Sequence, residues 1–192
     1  MKVSDYKSLL FEIDDIFKKV GLKYFLYGGT CLGAFRDKKF IDTDTDIDIA
    51  CLVEDFLPVK ESLIKELEKN MKIEIIDYVK NKKWDMGIYV IKAKKNKIYC
   101  DIMILFKVDK YRTAPRRTNH FYTHNSDYCE KTKEIYFYDR IFHIPEKTEE
   151  YLKEFYGENW DKPVSHKKHT KKPNKKGFDS LYVKLKNENE VL

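Results

Sequence analysis

Asp42, Asp44, Asp46 and Asp48 stand at every second position, with Thr43, Thr45, Ile47 and Ile49 interleaved. In an extended strand side chains alternate faces with a period of two, so all four carboxylates are predicted to share one face. Like charges at that spacing repel, and burial raises their pKa values further. A divalent cation removes both penalties. Oxygen-only ligands select a hard one, so Mg2+ or Mn2+ is the expected cofactor. A further carboxylate, Asp101, is the lone charge inside the apolar run Ile98-Tyr99-Cys100-Asp101-Ile102-Met103-Ile104-Leu105. A buried aspartate is costly unless it is paired, hydrogen-bonded or metal-bound. Asp101 is therefore either a capped structural group or a third carboxylate reaching the Asp46/Asp48 cations from a neighbouring strand.

Other readings of the acidic stretch fit less well. A solvated loop does not account for Ile47-Asp48-Ile49-Ala50-Cys51-Leu52, which has the pattern of a half-buried strand. An EF-hand loop starting at Asp42 puts Ile47 where Gly is required and Val53 where Glu is required, and starting at Asp44 puts Ile49 at the glycine position. Gly28, Gly29 and Gly33 do not form the G-x-G-x-x-G of a dinucleotide-binding loop.

The elements around the carboxylates follow from periodicity. Residues 24–27 read as a buried strand, turning at Gly28-Gly29-Thr30, and residues 31–36 can form one or two helical turns. The turn lets backbone N–H groups approach phosphates, with Gly29 expected to need positive φ or a close phosphate contact. Upstream, Ser4 is expected to cap a helix to about Val20, with Leu9, Leu10, Ile13, Ile16 and Phe17 on its core face and Gly21 ending it. A second helix is predicted over about 55–70. Strands follow over 72–79, 84–91 and 98–106, the first two as a hairpin around Asn81-Lys82-Lys83. Residues 107–131 read as a long loop in which Arg112, Arg116 and Arg117 can clamp phosphates, against the plainer reading of a solvated basic loop. His120, His124 and Cys129 fit no zinc spacing. A second hairpin turns at Asp139-Arg140, and a short helix spans 148–156.

Composition bounds the partners. The chain is 42% hydrophobic and 15% aromatic, enough for one domain with a core. Its net charge of +6 is concentrated at Lys167, Lys168, Lys171, Lys172, Lys175 and Lys176, which suggests an anionic partner such as a nucleotide, a phosphate-bearing substrate, nucleic acid or a membrane surface. Cys31, Cys51, Cys100 and Cys129 lack the spacing of a disulfide framework or zinc site. Neither a signal peptide nor a long apolar run is apparent, so a cytoplasmic location without a transmembrane segment is expected.

A GG-[ST] turn after a strand, followed by an hDhDh strand, resembles the nucleotidyltransferase superfamily; here it is Gly28-Gly29-Thr30, then Ile47 flanked by Asp46 and Asp48. More narrowly, GGTCLGAFRDKKFIDTDTDIDIA is similar to the LicD/fukutin family, which reads G-T-L-L-G-A-x-R and then F-I-P-W-D-D-D-I-D-I. Asp42 stands where that family has Pro, Thr43 where it has Trp and Thr45 where it has the middle Asp. Two later blocks agree in order: Cys100-Asp101-Ile102 through Val108-Asp109, and the segment from Ile144-Pro145 through Tyr156-Gly157, Trp160 and Pro163.

The resemblance implies an α/β (α+β) nucleotidyltransferase fold, a mixed β-sheet flanked by helices, over residues 1–163, with 164–192 a basic polar tail. It implies transfer of a phospho-substituent, phosphocholine-like or alditol-phosphate-like, from a CDP-linked donor to a glycan hydroxyl. In that chemistry Asp46, Asp48 and Asp101 would be catalytic and metal-binding, with Asp44 a further metal ligand or a residue supporting the ligands from behind. Gly28, Gly29, Thr30, Arg36, Arg116 and Arg117 would bind substrate phosphates, Arg36 alternatively pairing with Asp44. The same carboxylates also serve nucleotidyl transfer from an NTP to a protein, RNA or small-molecule hydroxyl. A non-catalytic phosphate- or nucleic-acid-binding module built on the basic tail is disfavoured by the intact carboxylates.

Overall fold

A computed structural model describes residues 2–76, 90–108, 110–117 and 120–163. Helix α1, Val3–Val20, buries Leu9, Leu10, Ile13, Ile16 and Phe17 and ends at Gly21, whose φ of 78° only glycine adopts easily. The expected Ser4 cap is not formed. The helix starts two residues earlier, its N-cap position is Lys2, and the Ser4 hydroxyl meets Asp5 inside the first turn.

Strand β1, Phe25–Leu26, pairs antiparallel with β2, Asp46–Leu52. Helix α2, Gly28–Leu32, joins them and runs on through a π-helical turn, Gly33–Asp37. Strand β2 pairs parallel with β5, Ile98–Val108. A parallel pair needs a long crossover. Here it contains α3 (Val53–Phe56), a 3-10 turn (Leu57–Val59), α4 (Lys60–Glu68), β3 (Lys72–Ile76) and β4 (Val90–Lys95). The single helix expected over 55–70 is broken at Pro58, which has no N–H to continue the ladder.

Strands β3, β4 and β5 pair antiparallel, giving the order β1-β2-β5-β4-β3 in a mixed sheet. Strand β4 runs past its expected end at Ile91 and meets β5 at Asn96, whose φ of 57° suits asparagine. The expected turn at Asn81-Lys82-Lys83 lies outside the described residues. Residues 107–131 are not the expected loop. The outer half of β5 pairs with β6, Tyr111–Arg117, which pairs with β7, His120–Asn125, and a helical turn α5, Ser126–Cys129, follows. A separate hairpin, β8 (Thr132–Phe137) and β9 (Arg140–Pro145), leads into α6, Thr148–Tyr156. No helix among the described residues is long and apolar enough to cross a membrane.

The sheet has two unlike faces. Ile47, Ile49, Ile91, Ala93, Cys100 and Ile102 are fully buried on the face covered by α1 and α4. Lys95, on that face by alternation, reaches Glu12 of α1 at 2.5 Å. The other face carries Asp46, Asp48, Tyr99, Asp101, Lys92 and Lys94 at the start of β2 and across its neighbours.

Candidate active site

The carboxylates meet where β2 begins. Asp46 lies opposite Tyr99, and Asp48 opposite Asp101, so Asp46, Asp48 and Asp101 share one face of two adjacent strands. Asp44 precedes the strand. Its N–H donates to the Ile41 carbonyl at 2.9 Å, and the Thr45 N–H donates to Asp44 Oδ1 at 3.1 Å. That turn curls Asp44 back, so that one carboxylate oxygen each of Asp44, Asp46 and Asp48 lies within 4.8 Å of the others. Asp42 does not join them. The strand starts only at Asp46, so the period of two does not reach Asp42, which is exposed and paired with Lys39 at 3.0 Å.

The group is electrostatically loaded. Burial, then the Asp46 carboxylate beside it, pushes Asp44 up to about 7. Burial and the charges of Asp46, Asp44 and Asp101 hold Asp48 well above the carboxylate range, opposed by the Gly29 N–H. Among the described residues, no Lys or Arg forms an ion pair with Asp44, Asp46 or Asp48. Asp101 is different: the Lys92 ammonium, opposite it on β4, meets both its oxygens at 3.0 and 2.8 Å. Burial raises the Asp101 carboxyl, and Lys92 works against that rise.

Helix α2 clamps the strand that carries the group. The Gly29 N–H donates to Asp48 Oδ2 at 3.1 Å, the Asp48 N–H donates to Thr30 Oγ1 at 2.8 Å, and the Tyr27 N–H donates to the Asp48 carbonyl at 3.0 Å. The Gly28 N–H donates to the Tyr151 hydroxyl at 3.0 Å. Positive φ falls on Gly28, at 49°, whereas Gly29 is required by contact: a Cβ there would stand 2.1 Å from Asp44 Oδ2. In this arrangement the two N–H groups expected to meet phosphates are turned to Asp48 and Tyr151.

A cluster of oxygen ligands beside a glycine-started helix, on a mixed sheet, narrows the kinship. A family model described as LicD/FKTN/FKRP, nucleotidyltransferase domain, matches residues 21–147. The chain belongs to the LicD/FKTN/FKRP family. Uncharacterized protein RP689 of Rickettsia prowazekii (strain Madrid E) is 32% identical to this LicD-family chain over 106 residues, 54% of the chain. The chain spans 38% of that relative's length. Two structures of the antibiotic-resistance factor ANT(2'')-Ia share the fold at 13% identity. The solution structure has a TM-score of 0.53 and covers 98% of this chain and 86% of its own. The crystal structure, in complex with adenylyl-2''-tobramycin, has a TM-score of 0.50 and covers 95% and 97%.

The basic residues expected at the LicD-type site are placed elsewhere or lie outside the described side chains. Arg36 does not pair with Asp44. It forms a two-pronged pair with Asp37, both contacts at 2.7 Å, and donates to the Trp160 carbonyl at 3.1 Å. Phe35 packs on Trp160 in the same place, so Arg36 fastens the C-terminal segment to the π-helical turn. Arg112 is buried between Glu54 and Glu130. Arg116 and Arg117 lie on β6, with side chains outside the described ones. His124 is buried. Its ring nitrogens meet the Tyr27 hydroxyl at 2.6 Å and Glu154 at 3.3 Å.

Lys92 and Tyr151 escaped the sequence reading. Lys92 sits one residue past the expected strand end, between Ile91 and Ala93, and the signal was the alternation continuing through Lys94. Tyr151 is 123 positions from Gly28, a separation that no local pattern bridges.

Proposed function

We propose that this LicD-family chain transfers a substituted phosphate group, of the phosphocholine or alditol-phosphate kind, from a CDP-linked donor to a glycan hydroxyl, with Mg2+ or Mn2+ as cofactor. One observation carries the reading: Asp44, Asp46 and Asp48 converge within 4.8 Å without an ion pair to any described cation. Family membership supplies the reaction class.

The donor set fits a hard cation, since every candidate atom is a carboxylate oxygen. Asp46 and Asp48, with Asp44, would hold it, and Asp101 stands on the adjoining strand. Such a cation, when bound, offsets the charge of the donor pyrophosphate and makes an acceptor hydroxyl more acidic. The chain's own residues do the rest. Thr30 and the Gly29 N–H fix the Asp48 backbone and carboxylate in place. In this reading Asp101 would accept the hydroxyl proton, with Lys92 holding its orientation. The acceptor oxygen forms a bond to the donor's distal phosphorus, the bond from that phosphorus to the CMP oxygen breaks, and CMP leaves.

Nucleotidyl transfer from an NTP remains the second reading, favoured by the fold shared with ANT(2'')-Ia. Incubation with CDP-choline, CDP-ribitol, CDP-glycerol and each NTP plus Mg2+, over a panel of glycans, separates the two. CMP release from a CDP-linked donor is expected. Pyrophosphate release from an NTP supports the second reading, and full turnover in excess EDTA overturns the metal dependence of both.

A further inference from the structure

We propose that the polar face of the sheet beyond the carboxylates holds an anion subsite, built from Lys94 and Lys72 beside Tyr99, that takes a phosphate group carried by the acceptor. The strand register sets the row Asp46, Tyr99, Lys94, Lys72 across β2, β5, β4 and β3. A second row, Asp48, Asp101, Lys92, Glu74, runs beside it. The second row holds three carboxylates to one ammonium, and Lys92 is bound to Asp101. The first row has the opposite balance, two ammonium groups to one carboxylate.

Lys72 and Lys94 stand directly opposite each other on adjacent strands. Like charges in that position destabilise a sheet. Neither lysine has an ion pair with a described carboxylate. The Lys94 ammonium lies 4.8 Å from the centre of the Tyr99 ring, and that of Lys92 5.9 Å from it. The ring thus gathers positive charge over itself. Tyr99 and Lys94 are half-buried and Lys72 is exposed, while α1 and α4 pack against the opposite face.

Two facing ammonium groups suit a dianion better than a single carboxylate, which is why the occupant is a phosphate group. Its distance from the reaction centre decides whose phosphate it is. Lys94 is two strands from Asp46, about 10 Å at the usual strand spacing. The donor's pyrophosphate belongs at the carboxylate group under the transfer reading. A charge about 10 Å along the same face then belongs to the other substrate. Assigning the anion to the acceptor rests on that reading; the anion site itself does not.

The test uses the full-length chain, labelled with 15N, in EDTA and at constant ionic strength, titrated with inorganic phosphate. Without a divalent cation the carboxylate group repels anions, so binding reports the lysine row alone. Saturable shifts are expected at the amides of Lys72, Lys94 and Tyr99, and the Lys72→Gln/Lys94→Gln double variant should weaken the apparent affinity about tenfold or more. Both side chains are at least partly solvated, and the amide spectrum itself reports that the variant is folded. Unsaturable shifts, or equal affinity in the double variant, overturn the subsite. In turnover with matched phosphorylated and unphosphorylated acceptors, the double variant should raise KM about tenfold for the first only, with kcat retained. Equal effects on both acceptors overturn the assignment to the acceptor. If no donor is turned over at all, the transfer reading fails while the phosphate shifts still decide the subsite.

Discussion

Asp14 and the Asp44–Asp46–Asp48 group are both aspartates withdrawn from water, and they are treated in opposite ways. Asp14 is 1% exposed. It accepts from the Tyr24 hydroxyl at 2.6 Å, from Lys18 at 2.8 Å and from Arg140 at 3.0 Å. Those bonds tie α1 to β1 and to the β8–β9 hairpin. The other three face one another, Asp48 and Asp44 each accept from a backbone N–H, and among the described residues no Lys or Arg forms an ion pair with them. A neutralised buried carboxylate is a joint between elements; carboxylates gathered without a counter-charge are a place prepared for one.

Substitutions that remove charge from each region should therefore diverge. The largest divergence is expected between Asp48→Asn and Asp14→Asn. Asp48→Asn should lower kcat about 100- to 1,000-fold while leaving the melting temperature unchanged or raising it, because a repulsion is lost. Asp14→Asn should cost about 2 kcal/mol of stability and leave kcat of the folded protein nearly intact. The stability gain in Asp48→Asn has a pH signature. Asp44, beside it, has a carboxyl at about 7 in the fold against an ordinary 3.8. Between those values the folded chain holds a proton that the unfolded chain has released. Its contribution to stability is thus full below about 3.8 and withdrawn as pH rises towards 7. The gain on removing a neighbouring charge should be larger at pH 8 than at pH 5, as thermal melts in EDTA will show. Equal melting shifts for both variants would erase the contrast.

A smaller effect should sharpen the same contrast from the glycine side. In Gly29→Ala the new Cβ displaces the Asp44 carboxylate, which lies 2.1 Å from its position. Metal affinity should fall about tenfold. Gly21→Ala, with φ 78° and open space around it, should cost about 1 kcal/mol of stability and leave metal affinity alone. Calorimetric titration with Mn2+ and thermal melts read the two effects separately.

Much of the fold was legible because its signals are local. The alternation from Asp46 to Leu52, the lone charge in β5, the apolar spacing of α1 and the 148–156 helix each lie within one window of sequence. What was missed depends on contacts between distant segments. Strands β6 and β7 read YRTAPRR and HFYTHN, without apolar alternation, because Arg112 and His124 are buried through polar partners rather than exposed. Arg36 looked like a phosphate ligand, but Asp37 and the Trp160 carbonyl, 124 positions away, hold it. Asp42 continued the acidic period in sequence, yet the turn at Ile41 ended its register before the strand began. Lys92 became part of the site only through a cross-strand pairing with Asp101.

The central claim is that Asp44, Asp46 and Asp48 form a cation site, and Mn2+ binding followed by electron paramagnetic resonance tests it most directly. The account predicts saturable binding at pH 8 in the wild-type chain. It predicts weaker binding at pH 5.5, where a carboxyl pushed up to about 7 keeps its proton and competes with the metal. It predicts loss of that binding in Asp46→Asn, with Asp14→Asn unaffected. Equal Mn2+ affinity in the wild type and Asp46→Asn would contradict it.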